Sequence, residues 1–249
     1  MQVAILCGGQ GTRAYPYTRT IPKPLMEIDG APIVEQVMRI YAAAGLTQFI
    51  LACGYLGEVV IDYVRDRRFD WDVCCVDTGD RADTGDRIYR LRDLLGPTFH
   101  VTYCDGLGTV DVRALQAFHE SHGGLATVTG VALRSQYGIL HTDASHRVTG
   151  FEEKPVLPQY WINGGFFVFE RRVFDHWEGH SLERDVLPAL AARGELRMHR
   201  HHGFWRSMDT YKDQQELNEL WPAHSHELAA TLALRNGDRE LATAGRGHR

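Results

Sequence analysis

Residues 7–30 read CGGQGTRAYPYTRTIPKPLMEIDG, and the placing of glycines and prolines in them decides the fold. From Gly9 to Ala14 the run G-Q-G-T-R-A fits the dinucleotide-binding fingerprint G-x-G-x-x-G/A. That fingerprint needs a long helix, because its third position lies in the helix's first turn and the helix N-terminus receives the pyrophosphate. Pro16, Pro22 and Pro24 follow closely, each removing a backbone donor and restricting the residue before it. A long helix cannot start at Gly11 and survive them. The glycines therefore belong to an extended loop, and a nicotinamide or flavin oxidoreductase is set aside.

An extended glycine loop behind a buried first strand still favours an anion. Gly8, Gly9 and Gly11 let the backbone approach closely and turn several N–H groups toward one point, a nest that needs no helix. Thr12 adds a hydroxyl donor, and Arg13 a permanent forked cation suited to phosphate oxygens. Lys23, framed by Pro22 and Pro24, is a point charge on a stiff support. Together they read as a triphosphate cradle, with Leu6 and Gly8 bordering the place of the base.

Outward from this loop, the first half alternates short apolar runs with helix-period segments. QVAILC (2–7), QFILAC (48–53), WDVCCV (71–76) and FHVTYC (99–104) predict strands. PIVEQVMRIYAAAG (32–45), GEVVIDYVRD (57–66), DRIYRLRDLL (86–95) and VDVRALQAFHESH (110–122) predict helices. The order implies an α/β fold with a Rossmann-like, mostly parallel sheet flanked by helices. In the second half ATVTGVAL (126–133), YGILHT (137–142), RVTGFEE (147–153) and NGGFFVFE (163–170) follow in quick succession, which predicts antiparallel additions. A helix over 183–194, a strand over 195–202 and a helix over 210–221 complete a single domain spanning 1–221. Residues 222–249 read as a C-terminal helix, over 224–235, and a loose tail.

Composition narrows the function. With 44% hydrophobic and 24% charged residues in 249, the chain is an ordinary globular protein, and its formal charge of −5 disfavours nucleic acid as a partner. No apolar run reaches the length of a membrane span and no basic leader precedes the first strand, so no membrane partner and a cytoplasmic location are expected. The five cysteines sit mostly in apolar strand-like runs, as buried free thiols do. The histidines of HRHH (199–202) would alternate faces of a strand, which disfavours a metal cluster. Trp161, Phe204 and Trp205 read as packing beneath the site rather than as a stacking platform.

GGQGTR followed by PKPLMEIDGAPI resembles the sugar-1-phosphate nucleotidylyltransferases. VDTGDRADTGDR (76–87), YCDGLGTVD (103–111), FEEKP (151–155), INGGFFVFE (162–170) and GFWRSMDTYKD (203–213) continue the resemblance in order, most closely to the glucose-1-phosphate cytidylyltransferases. It covers residues 1–221 and implies the nucleotide-diphospho-sugar transferase fold, Mg²⁺ as cofactor and a homo-oligomer. The implied partners are a nucleoside triphosphate, with CTP first, and a sugar 1-phosphate such as glucose 1-phosphate.

The implied reaction is displacement at the α-phosphorus by a phosphate oxygen. A phosphate monoester has its second pKa near ~6, so the nucleophile is largely ionised and no general base is required. The protein must align two anions and neutralise the leaving pyrophosphate. The resemblance assigns Arg13 to the departing phosphates, Lys23 to the α-phosphate or the sugar phosphate, and Asp105 and Asp209 to the metal. Asp105 also follows directly on a predicted strand, at the edge where open α/β sheets bind ligands. Thr84 and Arg87 are the candidate nucleotide contacts, and Gly138, Glu153, Lys154, Asn163 and Gly164 the candidate sugar-phosphate contacts. Two departures accompany these: Asp86 stands where the family carries Gly, and the stretch between Tyr63 and Asp77 is short. Two rival readings remain, a different nucleotide or a phosphate or phosphonate acceptor, and a binding protein that has lost catalysis. The presence of Arg13, Lys23, Asp105 and Asp209 together speaks against the second.

Overall fold

The apolar opening run folds as β1 (Gln2–Leu6), with its last four residues buried. It begins a computed structural model that describes residues 1–226. Three short 3-10 turns follow, Thr12–Ala14, Tyr17–Arg19 and Lys23–Leu25, so no long helix succeeds the glycines, as the prolines require. A small hairpin of β2 (Glu27–Ile28) and β3 (Ala31–Pro32) then leads into α1 (Ile33–Ala43). The first half continues as β4 (Gln48–Cys53), α2 (Gly57–Asp66), β5 (Asp72–Asp77), α3 (Thr84–Arg90), β6 (Thr98–Tyr103), β7 (Gly106–Gly108) and α4 (Val112–His122). The second half runs through β8 (Ala126–Arg134), β9 (Ile139–Thr142), β10 (Val148–Glu152), β11 (Val156–Asn163), β12 (Phe167–Glu170), α5 (Leu187–Ala192), β13 (Leu196–His201) and β14 (Trp205–Ser207).

The main sheet has the order β11-β8-β12-β6-β1-β4-β5, with β13 also paired to β8. β1 is parallel to β4 and β6, and β4 to β5, whereas β12 and β11 enter antiparallel. The mixture is the expected one. β4 and β5 lie to one side of β1 and β6 to the other, so the chain's direction of winding reverses between β1 and β6. Loops leaving the carboxyl ends of those two strands diverge and open a crevice, the usual ligand position in such sheets.

Side chains alternate along β1 and fill two cores. Val3 and Ile5 pack with Ile33, Val37 and Phe49 on one face; Ala4 and Leu6 pack with Ile50, Ile88 and Phe99 on the other. Asp111 caps α4 by accepting from the Ala114 N–H at 3.0 Å, and Gly123, at φ 66°, ends it. The helix predicted over 183–194 begins instead as a wide π-helical turn, Leu182–Val186, because Pro188 lacks the donor that a regular helix would use there. The short stretch before Asp77 is a plain connection, with residues 67–71 joining α2 to β5.

A last helix occupies 211–226 and continues through Pro222, past the predicted end at 221. Most of the helix expected over 224–235, and the expected loose tail, lie outside the described residues. Among the described residues, no helix is long and apolar enough to cross a membrane. All five cysteines are free. The last helix is anchored by Trp221, which is 1% exposed and donates its indole N–H to Gln36 Oε1 at 3.2 Å. Trp221→Ala should lower the unfolding free energy by about 3–5 kcal/mol in urea melts, and a loss under about 1 kcal/mol would show that this anchor is dispensable.

Candidate active site

The glycine loop leaves β1 at the crevice. Gly11 adopts φ 60°, a left-handed conformation natural to glycine, and its carbonyl accepts from the Thr18 hydroxyl and the Ala14 N–H, both at 2.9 Å. A Cβ placed on Gly9 would meet nothing within 4 Å, so this residue faces open space. Gly8 has a further reason to be glycine. A Cβ there would stand 2.1 Å from Arg87 Nη1, so its missing side chain makes room for a guanidinium behind the loop.

Arg87, expected at the nucleotide, is placed beneath the loop and is only 4% exposed. Its Nη1 donates to Cys53 O at 3.0 Å, Thr78 Oγ1 at 2.7 Å and Gly79 O at 2.9 Å, and its Nη2 to Gly8 O at 2.9 Å. Burial, then Arg90 nearby, lowers its pKa from the ordinary arginine value, yet a guanidinium remains charged. Thr84 is likewise committed to the protein: its hydroxyl donates to Glu183 Oε2 at 2.6 Å and accepts from the Leu182 N–H at 3.0 Å. Asp86, in the family's Gly position, meets His180 Nδ1 at 2.8 Å.

On the other side of the crevice, the two acids are brought together by backbone pairing. β7 and β14 run antiparallel with Gly106 opposite Ser207, and the Met208 N–H donates to Asp105 O at 2.8 Å. Asp105 and Asp209 therefore flank the end of one two-stranded ribbon. A capping box fixes the segment beyond. Thr210 N–H and Asp209 N–H donate to Asp213 Oδ2 at 2.7 and 3.0 Å, while the Asp213 N–H returns to Thr210 Oγ1 at 3.2 Å.

Lys23 joins the two halves. Its ammonium lies 2.6 Å from Asp105 Oδ2 and 3.1 Å from Asp209 Oδ1, and Arg13 Nη2 lies 2.9 Å from the same Asp209 oxygen. Burial would lower the Lys23 pKa, but Asp105 and then Asp209 outweigh it and hold it above the ordinary lysine value. The Arg13 side chain is 72% exposed, so one of the two cations already faces solvent.

Asn163 and Gly164 reach the same end of the sheet. Asn163 Nδ2 donates to the Tyr103 hydroxyl at 3.0 Å, and the Trp205 indole donates to Gly164 O at 2.9 Å. Tyr103 was missed by the sequence reading. It is the last residue of β6, two before Asp105. Burial, and then Glu183, push its hydroxyl pKa up. Gly138, Glu153 and Lys154 sit at the base of the β9–β10 hairpin. A Cβ on Gly138 would stand 2.4 Å from the Phe151 ring, and 3.0 Å from Glu153 Oε2. Glu153 and Lys154 are exposed, and their described contacts stay within the hairpin and the neighbouring end of β8. The histidines of 199–202 are dispersed: His199 meets Phe118, His201 Nε2 meets Phe204 O at 3.0 Å, and His202 meets Trp161 edge-on.

The model of the nucleotidyl transferase family matches residues 2–224, and the chain belongs to that family. A Bacillus subtilis (strain 168) protein named "Probable glucose-1-phosphate cytidylyltransferase" is 38% identical over 246 residues, covering 89% of this chain and 96% of its own. The mannose-1-phosphate guanyltransferase of Schizosaccharomyces pombe is 30% identical over 225 residues, covering 86% of this chain and 62% of its own. The structure of HddC from Yersinia pseudotuberculosis complexed with GMP-PN shares the fold, with a TM-score of 0.67 at 21% identity over 88% of this chain and 99% of that one.

The left-handed turn that opens the cradle is testable. Gly11→Ala should cost about 1–2 kcal/mol of stability, measured by thermal or urea melts, because an alanine there keeps its Cβ against the following carbonyl. Unchanged stability would mean that the loop relaxes to another conformation.

Proposed function

We propose that this nucleotidyltransferase joins CTP to a sugar 1-phosphate, glucose 1-phosphate first, giving a CDP-sugar and pyrophosphate. The observation that carries the reading is the buried Lys23 ammonium, 2.6 and 3.1 Å from two carboxylates of separate loops and beside an anion-cradling glycine loop. No side-chain nucleophile or general base is called for, because the attacking sugar phosphate is already ionised. Transfer between two phosphates needs fixed cations and carboxylates instead.

In this reading the N–H groups of Gly9, Gly11 and Thr12 receive the triphosphate, with Leu6 and Gly8 bordering the base. Arg13 turns from Asp209 to the β- and γ-phosphates. Lys23 holds the α-phosphate and the incoming sugar phosphate while the new P–O bond forms and the bond to pyrophosphate breaks. Asn163, the Gly164 backbone, Glu153, Lys154 and Gly138 serve the sugar phosphate. Asp105 and Asp209, both paired with Lys23, suit Mg²⁺ by chemistry: they are hard carboxylates, and that ion takes few protein ligands and keeps water and phosphate for the rest. When bound there it would supply neutralisation of phosphate charge.

Identity to the cytidylyltransferase relative over nearly its full length supports CTP and glucose 1-phosphate. The guanyltransferase relative supports the second reading, the same transfer with another nucleotide or acceptor. Pyrophosphate release from each common nucleoside triphosphate, paired with a panel of sugar 1-phosphates and Mg²⁺, separates them. CTP with glucose 1-phosphate should be the best pair, and release from no pair would overturn the catalytic assignment. Lys23→Ala and Asp105→Asn should each lower the rate by about 10²–10³-fold with the fold retained. Near-normal turnover in either would remove that residue from its role.

A further inference from the structure

Arg87 carries a buried charge that, among the described residues, the Asp80 carboxylate offsets only from beyond ion-pair distance. Among the described residues no carboxylate lies within ion-pair distance of it, and its acceptors are neutral oxygens. Those oxygens lie at, or just past, the carboxyl ends of three adjacent parallel strands, β1, β4 and β5. Two glycines hollow out its slot, since a Cβ on Gly8 or Gly54 would stand 2.1 or 2.5 Å from Nη1. A buried cation is unfavourable unless something of opposite sign completes it. The open face of the same loop is the place for that complement.

The peptide geometry gives the connection. Gly8 O is held from behind by Arg87 Nη2 at 2.9 Å and by the Tyr55 N–H at 3.2 Å. In a trans peptide the carbonyl and the following N–H point in opposite directions. Pulling Gly8 O inward therefore turns the Gly9 N–H outward, at the residue whose side-chain position faces empty space. A charged donor on the carbonyl also polarises that N–H.

We propose that Arg87 is a positioning residue for the nucleotide: acting through the Gly8 carbonyl, it aims and polarises the Gly9 N–H at the triphosphate from behind the loop. This rests on the glycine loop being the nucleotide site. It separates Gly8, shaped by Arg87, from Gly9, which meets the anion.

The test is a double-mutant cycle read by calorimetric titration with CTP on wild type, Arg87→Met, Gly8→Ala and the double variant, with Arg87→Lys as the conservative replacement. Arg87→Met should weaken CTP binding by about tenfold or more, and Arg87→Lys should recover part of the loss. At saturating CTP, the KM for glucose 1-phosphate should stay at the wild-type value, which a general loss of structure would not leave in place. Gly8→Ala should weaken binding in the wild type and add little to Arg87→Met. Equal effects of Gly8→Ala in both backgrounds would overturn the proposal, as would Arg87→Met binding CTP like wild type. Should Arg87→Met fail to fold, Arg87→Lys decides: undiminished CTP binding refutes the proposal, and weakened binding with an unchanged KM for the sugar phosphate supports it. Wild-type protein that binds neither CTP nor inorganic tripolyphosphate would instead refute the reading of the loop itself.

Discussion

The Lys23 ammonium, set between Asp105 and Asp209, ties together three segments that the sequence keeps far apart. One follows the first strand, one follows β6, and one follows β14 near the end of the described chain. Each is rigid for a local reason. Prolines frame the lysine, the β7–β14 ribbon holds the two acids, and the Thr210–Asp213 box stops the last helix from drawing Asp209 away. Two cations and two carboxylates balance there, so the assembled site carries little net charge of its own. Charged substrates can then enter by exchanging partners rather than by adding charge to a dry pocket.

The sheet supplies the frame for this exchange. Because the winding reverses between β1 and β6, the glycine loop and Asp105 leave neighbouring strands in diverging directions. A crevice opens with backbone donors on one wall and carboxylates on the other. Behind the donor wall Arg87 fastens the ends of β1, β4 and β5, so one side chain governs the shape of three loops.

Much of this was legible before any coordinates. The prolines ruled out a helix after the glycines, the β-α alternation implied a parallel sheet, and Asp105 stood directly past a predicted strand. The β7–β14 ribbon was not legible, because GLG and WRS are too short to show a period and their pairing spans most of the second half. The resemblance of VDTGDRADTGDR points to Arg87 as a nucleotide contact, but the sequence does not show that this side chain lies behind the glycine loop. Nor does the sequence show that the missing side chain of Gly8 makes room for that guanidinium. The helix over 183–194 was right in place and wrong in its first turn, where Pro188 shifts the hydrogen bonding.

The last helix docks on the β2–β3 hairpin, with Gln214 and Asn218 donating to Glu27 O at 3.0 and 3.2 Å and Asn218 accepting from the Asp29 N–H at 2.9 Å. That hairpin directly follows Lys23. A ribosome delivers the lysine early and Asp209 late, since domains emerge from their N-terminal side first. A partly synthesised chain can thus hold its central parallel strands while its charge quartet still lacks a member. The crevice is complete only once one segment has brought both the second acid and the helix that clamps it.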